Sequence, residues 1–163
     1  MTQLEPQAYV RHPSTQDSVW YRGQLMTVYA GAADTGGDFT FFEGTCPEGM
    51  GPPPHVHARE HEGLYVLEGE IEAFCGQDSF SVPAGSFVFL PRGIVHWFRP
   101  TSGTARLLAV ASPGGSEGFF RELGEAPDAM RLPAPPQGPP DTGQLQAAAV
   151  RYDLTFPRPP AAT

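Results

Sequence analysis

Between Val19 and Val110 the chain alternates short runs rich in Val, Phe, Tyr and Thr with Gly, Pro and Asp. Short runs of this kind, bounded by turn-forming residues, are typical of β-strands. The pattern predicts nine strands, at residues 19–21, 24–30, 39–45, 64–67, 70–74, 79–82, 86–90, 95–99 and 106–111. Nine short strands indicate an all-β sandwich or barrel.

The predicted connections favour antiparallel pairing. Glu68-Gly69 and Gly76-Gln77-Asp78 are short enough for hairpins and contain residues that tolerate positive φ. Pro91-Arg92-Gly93 is predicted to form a type I turn, with Pro91 at its second position and Gly93 at its fourth. This turn would place His96 at the start of a strand.

The last third of the chain has a different pattern. Residues 116–123 carry apolar residues at helical spacing behind Ser116, which we expect to cap a short helix. Six prolines between residues 127 and 140 favour an extended connector. After it, Asp141 or Thr142 is expected to cap a second helix, 143–152, which would pack on the barrel through the apolar stripe Leu145, Ala148, Ala149 and Tyr152.

Length and charge narrow the classes of function. A chain of 163 residues is about one domain, and its net charge of −8 would repel nucleic-acid phosphates and anionic lipids. We therefore expect no nucleic-acid partner and no membrane partner. With no long apolar run and no basic leader, a cytoplasmic protein is expected. Cys46 and Cys75 stand alone in sequence, and we interpret both as core residues.

Four of the five histidines lie in the strand-rich centre of the chain. Residues two apart on a β-strand point to the same face, so His55 and His57 would project into one space. Neutral imidazole nitrogens bind borderline metals. The prolines at 52–54 would deliver the chain to His55 in an extended, preorganised conformation.

The residues after His57 leave an alternative open. A straight strand would turn His61 inward and Glu62 outward, so either the chain bends between residues 58 and 61 or His61 replaces Glu62 as a ligand. His61 is otherwise expected to be a second-layer or exposed residue. We interpret Arg59 and Glu60 as surface charges, unless one of them orders a ligand by hydrogen bonding.

Two motifs resemble those of the cupin superfamily. Residues 49–69 fit G-x5-HxH-x4-E-x6-G, and Gly85, Pro91, Gly93 and His96 fit the second cupin motif, in which Pro100 replaces the usual Asn. The resemblance implies an all-β, single-domain cupin, a double-stranded β-helix or jelly-roll barrel with short C-terminal helices. The barrel would cover residues 1–124 with a metal-binding core at 39–111, and a Pro-rich extension would cover 125–163. The implied metal ligands are His55, His57, Glu62 and His96.

Further segments resemble small bacterial cupins of the quercetin 2,3-dioxygenase type, among them residues 20–23, 64–70 and 119–124. The resemblance implies one divalent transition metal (Fe, Mn, Ni, Co or Cu, with Zn as a purification product) and Glu62 as catalytic base. A flavonol or similar aromatic molecule and dioxygen would be the substrates, and the protein would be a homodimer. A non-oxidative cupin enzyme and a non-catalytic binding protein are the alternatives. Side-chain alternation along the strands suggests a substrate pocket lined by Phe41, Leu64, Val66 and Phe98.

Overall fold

The computed structural model describes residues 6–157. Its strands are β1 (Ser18–Tyr21), β2 (Gln24–Ala30), β3 (Thr40–Cys46), β4 (Val56–His57), β5 (His61–Glu68), β6 (Glu70–Cys75), β7 (Asp78–Pro83), β8 (Phe87–Leu90), β9 (His96–Pro100), β10 (Ala105–Ser112) and β11 (Leu154–Thr155). Its helices are α1 (Ala32–Thr35), α2 (Glu117–Leu123) and α3 (Thr142–Arg151), and a 3-10 turn spans Thr15–Asp17. All nine predicted strands are present, whereas β4, β11 and α1 were not predicted.

Three antiparallel sheets build the fold. The largest has the order β1-β2-β3-β10-β5-β8, a second has β7-β6-β9, and the two-stranded third pairs β11 with β4. The main core lies between the inner faces of the first two sheets, where Leu64 and Val66 of β5 and Ile71 and Ala73 of β6 are at most 1% exposed. The all-β prediction is therefore confirmed.

Two predicted turns differ from the structure. Glu68-Gly69 does not close a hairpin, because β5 and β6 belong to different sheets and the chain crosses between them there. Gly69 has a φ of +77°, and a Cβ at this position would lie 2.9 Å from the carbonyl oxygen of Thr104, so glycine suits both the conformation and the space. The turn after Pro91 is centred one residue later than predicted, on Arg92 and Gly93 (φ +79°). Strand β9 nevertheless begins at His96, as expected.

The hairpin at Gly76-Gln77 and the bend before Glu62 agree with the sequence prediction. Strands β6 and β7 are paired up to Cys75 and Asp78, which leaves the two residues between them as the turn. Residues 58–60 connect β4 to β5, which lie in different sheets. The chain therefore changes direction between His57 and Glu62.

The C-terminal segment returns to the barrel. Asp141 caps α3 through the amides of Gly143 and Gln144, and α3 buries Leu145 together with Ala148 and Ala149. Strand β11 then pairs with β4, so that Leu154 lies opposite His57. Within residues 6–157, no helix is both long enough and apolar enough to cross a membrane.

Ser116 does not cap α2, contrary to the sequence prediction. Its backbone is already helical (φ −63°, ψ −21°), and its side chain makes no capping hydrogen bond. Its backbone N–H instead donates to Glu60 Oε1 at 3.0 Å. The start of α2 is thereby tied to the loop that follows His57.

Candidate metal centre

The four residues that the motifs single out come together in the structure. His55 and His96 form an isolated antiparallel bridge, with N···O distances of 3.1 and 2.9 Å, while His57 lies in β4 and Glu62 in β5. One nitrogen or carboxylate oxygen from each residue lies within 4.8 Å of those of the other three. The His55 ring centroid is 4.6 Å from that of His96 and 5.0 Å from that of His57.

Hydrogen bonds at Nδ1 orient all three imidazoles. His55 Nδ1 lies 2.9 Å from the carbonyl oxygen of Pro53, and His96 Nδ1 lies 2.9 Å from that of Ile94. His57 Nδ1 lies 2.6 Å from Glu60 Oε2. Because carbonyls and carboxylates only accept, each Nδ1 carries the proton and donates it. In the neutral rings each Nε2 therefore keeps a free lone pair, as a metal ligand requires.

The donor set fits a divalent transition metal. His96 Nε2 is fully buried, has no hydrogen-bond partner within residues 6–157, and lies 3.3 Å from Glu62 Oε2. A buried acceptor without a partner costs free energy, which a cation at this point would offset. Three imidazoles and one carboxylate suit Fe, Mn, Ni, Co, Cu or Zn, and they leave coordination positions free on a metal that takes five or six ligands.

Burial and charge also prepare the cluster for a cation. Burial lowers the pKa of His55 to about 4, so that this ring is neutral near pH 7. Burial alone would raise the pKa of Glu62, but its contact with His96 and the nearby His57 and His55 lower it to about 2. Burial also opposes charge on His57, yet the hydrogen bond to Glu60 and the charge of Glu62 outweigh it and raise the His57 pKa. The cluster thus places an ionised carboxylate among oriented imidazoles.

Glu60 is the main residue whose role the sequence did not reveal. It is 6% exposed rather than a surface charge. Its carboxylate accepts the Nδ1–H of His57 with one oxygen and the backbone N–H of Ser116 with the other. The sequence also allowed that Arg59 or Glu60 orders a ligand by hydrogen bonding, and the contacts of Glu60 fit this alternative. Nothing in the local spacing separates it from Arg59, which is exposed and pairs with Asp153.

His61 lies outside the cluster. Its Nδ1 accepts a hydrogen bond from the backbone N–H of Arg92 at 3.2 Å, and its ring packs 5.5 Å from that of Phe89 on the outer surface. Among the described residues it makes no hydrogen bond to the four clustered side chains. The bend between β4 and β5 turns Glu62 inward, so that Glu62 rather than His61 lies in the cluster.

An apolar cavity that is open to solvent lies beside the cluster. His55, His57 and Glu62 form part of its wall, and Leu64 and Phe98 line it as predicted. Two predicted lining residues are placed differently. Phe41 lies on the other face of β3, with its ring near Tyr29, and the neighbouring Phe42 lines the cavity instead. Val66 is fully buried in the core but does not reach the cavity.

The C-terminal segment supplies a wall that the sequence pattern did not indicate. Leu154 and Phe156 both line the cavity. The Phe156 ring lies 6.2 Å from His55 and 6.1 Å from Phe119 of α2. The backbone N–H of Ala58 donates to the carbonyl of Asp153 at 2.9 Å, which extends the β4 and β11 pairing. Residues nearly 100 positions after the histidine pair thus close one side of the site.

The fold and the cluster together resemble a known class of protein. A jelly-roll barrel that holds an HxH pair, a glutamate and a later histidine close together is similar to a metal-binding cupin. Residues 42–111 match the family model described as the cupin domain. This match agrees with the cupin resemblance that the two motifs indicated.

One relative by sequence is quercetin 2,3-dioxygenase of Bacillus subtilis (strain 168). The two proteins are 29% identical over 129 residues, which is 79% of this chain. The chain spans only 38% of the length of that enzyme.

Solved structures show the same fold at lower identity. KdgF from a Halomonas species has 17% identity and a TM-score of 0.54, over 60% of this chain and 87% of its own. A protein with a double-stranded β-helix domain from Klebsiella pneumoniae has 20% identity and a TM-score of 0.54, over 66% of this chain and 93% of its own. These likenesses concern the fold alone.

Proposed function

We propose that this protein is a metal-dependent dioxygenase that acts on a flavonol or a similar aromatic, enolisable small molecule. The observation that carries the proposal is the cluster of three imidazoles and one carboxylate, in which His55, His57 and Glu62 form part of the wall of an apolar cavity. The 29% identity to a quercetin 2,3-dioxygenase over most of the chain supports the same chemistry.

In this proposal His55, His57, Glu62 and His96 hold one divalent transition metal, which would be Fe, Mn, Ni, Co or Cu, with Zn as a product of purification. A bound metal of this kind supplies Lewis acidity to the substrate oxygens and access to dioxygen. The hydrogen bonds at Nδ1 of the three histidines fix the ring orientations before any metal arrives. The centre is therefore preorganised by the chain itself.

Glu62 acts as the base. Its pKa of about 2 keeps the carboxylate ionised near pH 7, so it can accept the proton of an enolic hydroxyl that the Lewis acid has made acidic. Its side chain lines the cavity, within reach of a guest. Leu64 and Phe98 add apolar wall beside it, which orients a flat ring and excludes water from the reacting oxygens.

The test uses metal-free protein reconstituted separately with each candidate metal and supplied with quercetin in air. We expect oxygen uptake in step with the loss of flavonol absorbance, with release of carbon monoxide. Glu62→Gln should lower kcat by at least about 100-fold. Glu72→Gln is the matched control, because Glu72 pairs with Arg99 on the outside of the barrel. Absence of oxygen uptake in every metal form would overturn the proposal.

A further inference from the structure

The cavity has a second polar region, formed by Tyr21 and Gln24. These residues are paired at the end of the β1–β2 hairpin, and both line the cavity. They are 7% and 6% exposed, respectively. Within residues 6–157 neither the Tyr21 hydroxyl nor the amide nitrogen of Gln24 has a hydrogen-bond partner. Neither atom is fully buried, and both side chains line the cavity, so both groups are available to a guest molecule.

The third member of this region, Cys46, sets the orientation of the Gln24 amide. Its Sγ lies 3.0 Å from Gln24 Oε1. Burial raises the pKa of the Cys46 thiol to about 12, so the thiol keeps its proton at neutral pH and donates it to the amide oxygen. Both N–H groups of Gln24 therefore remain free to donate to an oxygen in the cavity.

Strand register separates the backbone of Cys46, beside Gln24, from that of Glu62 along the sheet. On β10, Ala105 is paired with Cys46, whereas Ala111 is paired with Glu62. Six residues at about 3.3 Å each correspond to roughly 20 Å along the sheet. Apolar side chains, among them Met26, Phe42, Leu64 and Leu107, line the cavity between the two ends. The cavity wall is thus mainly apolar between these two polar regions.

We propose that Tyr21 and Gln24 bind a hydroxyl or carbonyl oxygen at the end of an aromatic guest opposite the end that meets the metal. The nature of the guest rests on the proposed function. A cavity of this kind favours elongated aromatic molecules that carry oxygen substituents at both ends. Gln24 donates its N–H groups to that oxygen, and Tyr21 donates or accepts through its hydroxyl. Both are specificity-determining residues, and neither takes part in the chemistry.

Phenol and toluene test this inference, since they have nearly the same size and differ in the hydroxyl group. Their dissociation constants are measured by NMR titration of the metal-free, isotope-labelled protein. Water solvates phenol better, so an apolar cavity prefers toluene unless a hydrogen bond receives the hydroxyl. We expect the wild type to bind phenol at least as tightly as toluene. In Gln24→Leu we expect toluene to bind about tenfold more tightly than phenol.

Further variants separate recognition from folding. Tyr21→Phe should shift the preference toward toluene in the same direction, and Gln24→Met should behave like Gln24→Leu if the latter does not fold. Gln144→Leu, the same chemical change on the exposed side of α3, should retain the wild-type preference. A wild-type preference for toluene, a preference that survives both cavity substitutions, or failure of either guest to bind would overturn the inference.

The outcome is distinguishable from that of the oxygenation assay. If the protein oxygenates no flavonol but Gln24→Leu abolishes its preference for phenol, the binding role of Tyr21 and Gln24 is supported and the proposed dioxygenase activity is refuted. If the protein oxygenates flavonols while its cavity prefers toluene, the proposed activity is supported and the binding role of Tyr21 and Gln24 is refuted.

Discussion

Replacing Glu60 by Gln should disturb the candidate metal centre through His57. The carboxylate of Glu60 accepts two hydrogen bonds, from His57 Nδ1 at 2.6 Å and from the backbone N–H of Ser116 at 3.0 Å. Its side chain and that of His57 are each 7% exposed. Glutamine has almost the same shape but only one accepting atom, so it satisfies one of these donors and turns its NH2 group toward the other.

Two consequences follow, and their magnitudes differ. If the amide oxygen of the new glutamine faces Ser116, its NH2 group faces His57 Nδ1, and this nitrogen must then accept a hydrogen bond. The proton moves to Nε2, the atom needed for the metal, and metal affinity should fall about 10- to 100-fold. If the oxygen faces His57, the Ser116 amide loses its partner. In either case loss of a charge-assisted, buried hydrogen bond should lower the free energy of unfolding of the metal-free protein by about 2 kcal/mol.

Metal affinity is measured by competition with a chromophoric chelator, and stability by urea denaturation of the metal-free protein. Glu72→Gln is again the control, because its ion pair with Arg99 lies on the outer surface. It should change the free energy of unfolding by less than about 1 kcal/mol and leave metal affinity unchanged. If Glu60→Gln matched this control in both measurements, the orienting role of Glu60 would be refuted.

Three further predictions concern separate parts of the chain. His57→Ala should lower the metal content of purified protein at least about tenfold by elemental analysis, whereas His61→Ala should leave it nearly unchanged; the reverse order would move the ligand to His61. The hydrogen bond from Arg11 is the main cause that lowers the pKa of Asp34 below 3.8. Asp34→Asn should therefore cost about 1 kcal/mol at pH 7, and the difference should disappear as the pH falls below 3.8 through the folded-state pKa, as followed by urea denaturation; a difference independent of pH would contradict this. Leu154→Ala should lower the free energy of unfolding by about 2–3 kcal/mol because Leu154 is buried opposite His57, while Val150→Ala, at a residue that is 78% exposed, should change it by less than about 0.5 kcal/mol; equal effects would show that β11 is not packed on the barrel.

The local sequence pattern was sufficient to predict much of the fold, because the positions of strands follow from the order of apolar and turn-forming residues. Each predicted strand matches an observed one to within a few residues at its ends. The side-chain alternation that puts His96 and Phe98 on the inner face of their strand also places Trp97 on the outer face. There its ring stacks on that of Phe74, with 4.6 Å between the ring centroids. Strand pairing was less accessible to this reasoning. Gly69 fits a hairpin and a crossing between sheets equally well, since both need a glycine at a tight turn.

The sequence likewise predicted some features of the candidate site and not others. The motif spacing singled out His55, His57, Glu62 and His96, and the structure brings these residues together. The motif spacing did not predict the hydrogen bond from His57 to Glu60, because residues 58–60 form an irregular bend without a periodic pattern. Nor did it distinguish Phe41 from Phe42, since a shift of one residue in strand phase exchanges the two faces.

The sequence by itself determined the strand content, the acidic charge and the identity of the four clustered side chains, because each depends on spacing within a few residues or on a motif. Only the tertiary structure decided what surrounds that cluster. Leu154 and Phe156 close the cavity from the far end of the chain, and Gln24 reaches it from an early hairpin. The physical reason is that a cavity wall is made where segments distant in sequence pack against one another, and the partners in such packing leave no local pattern in either segment.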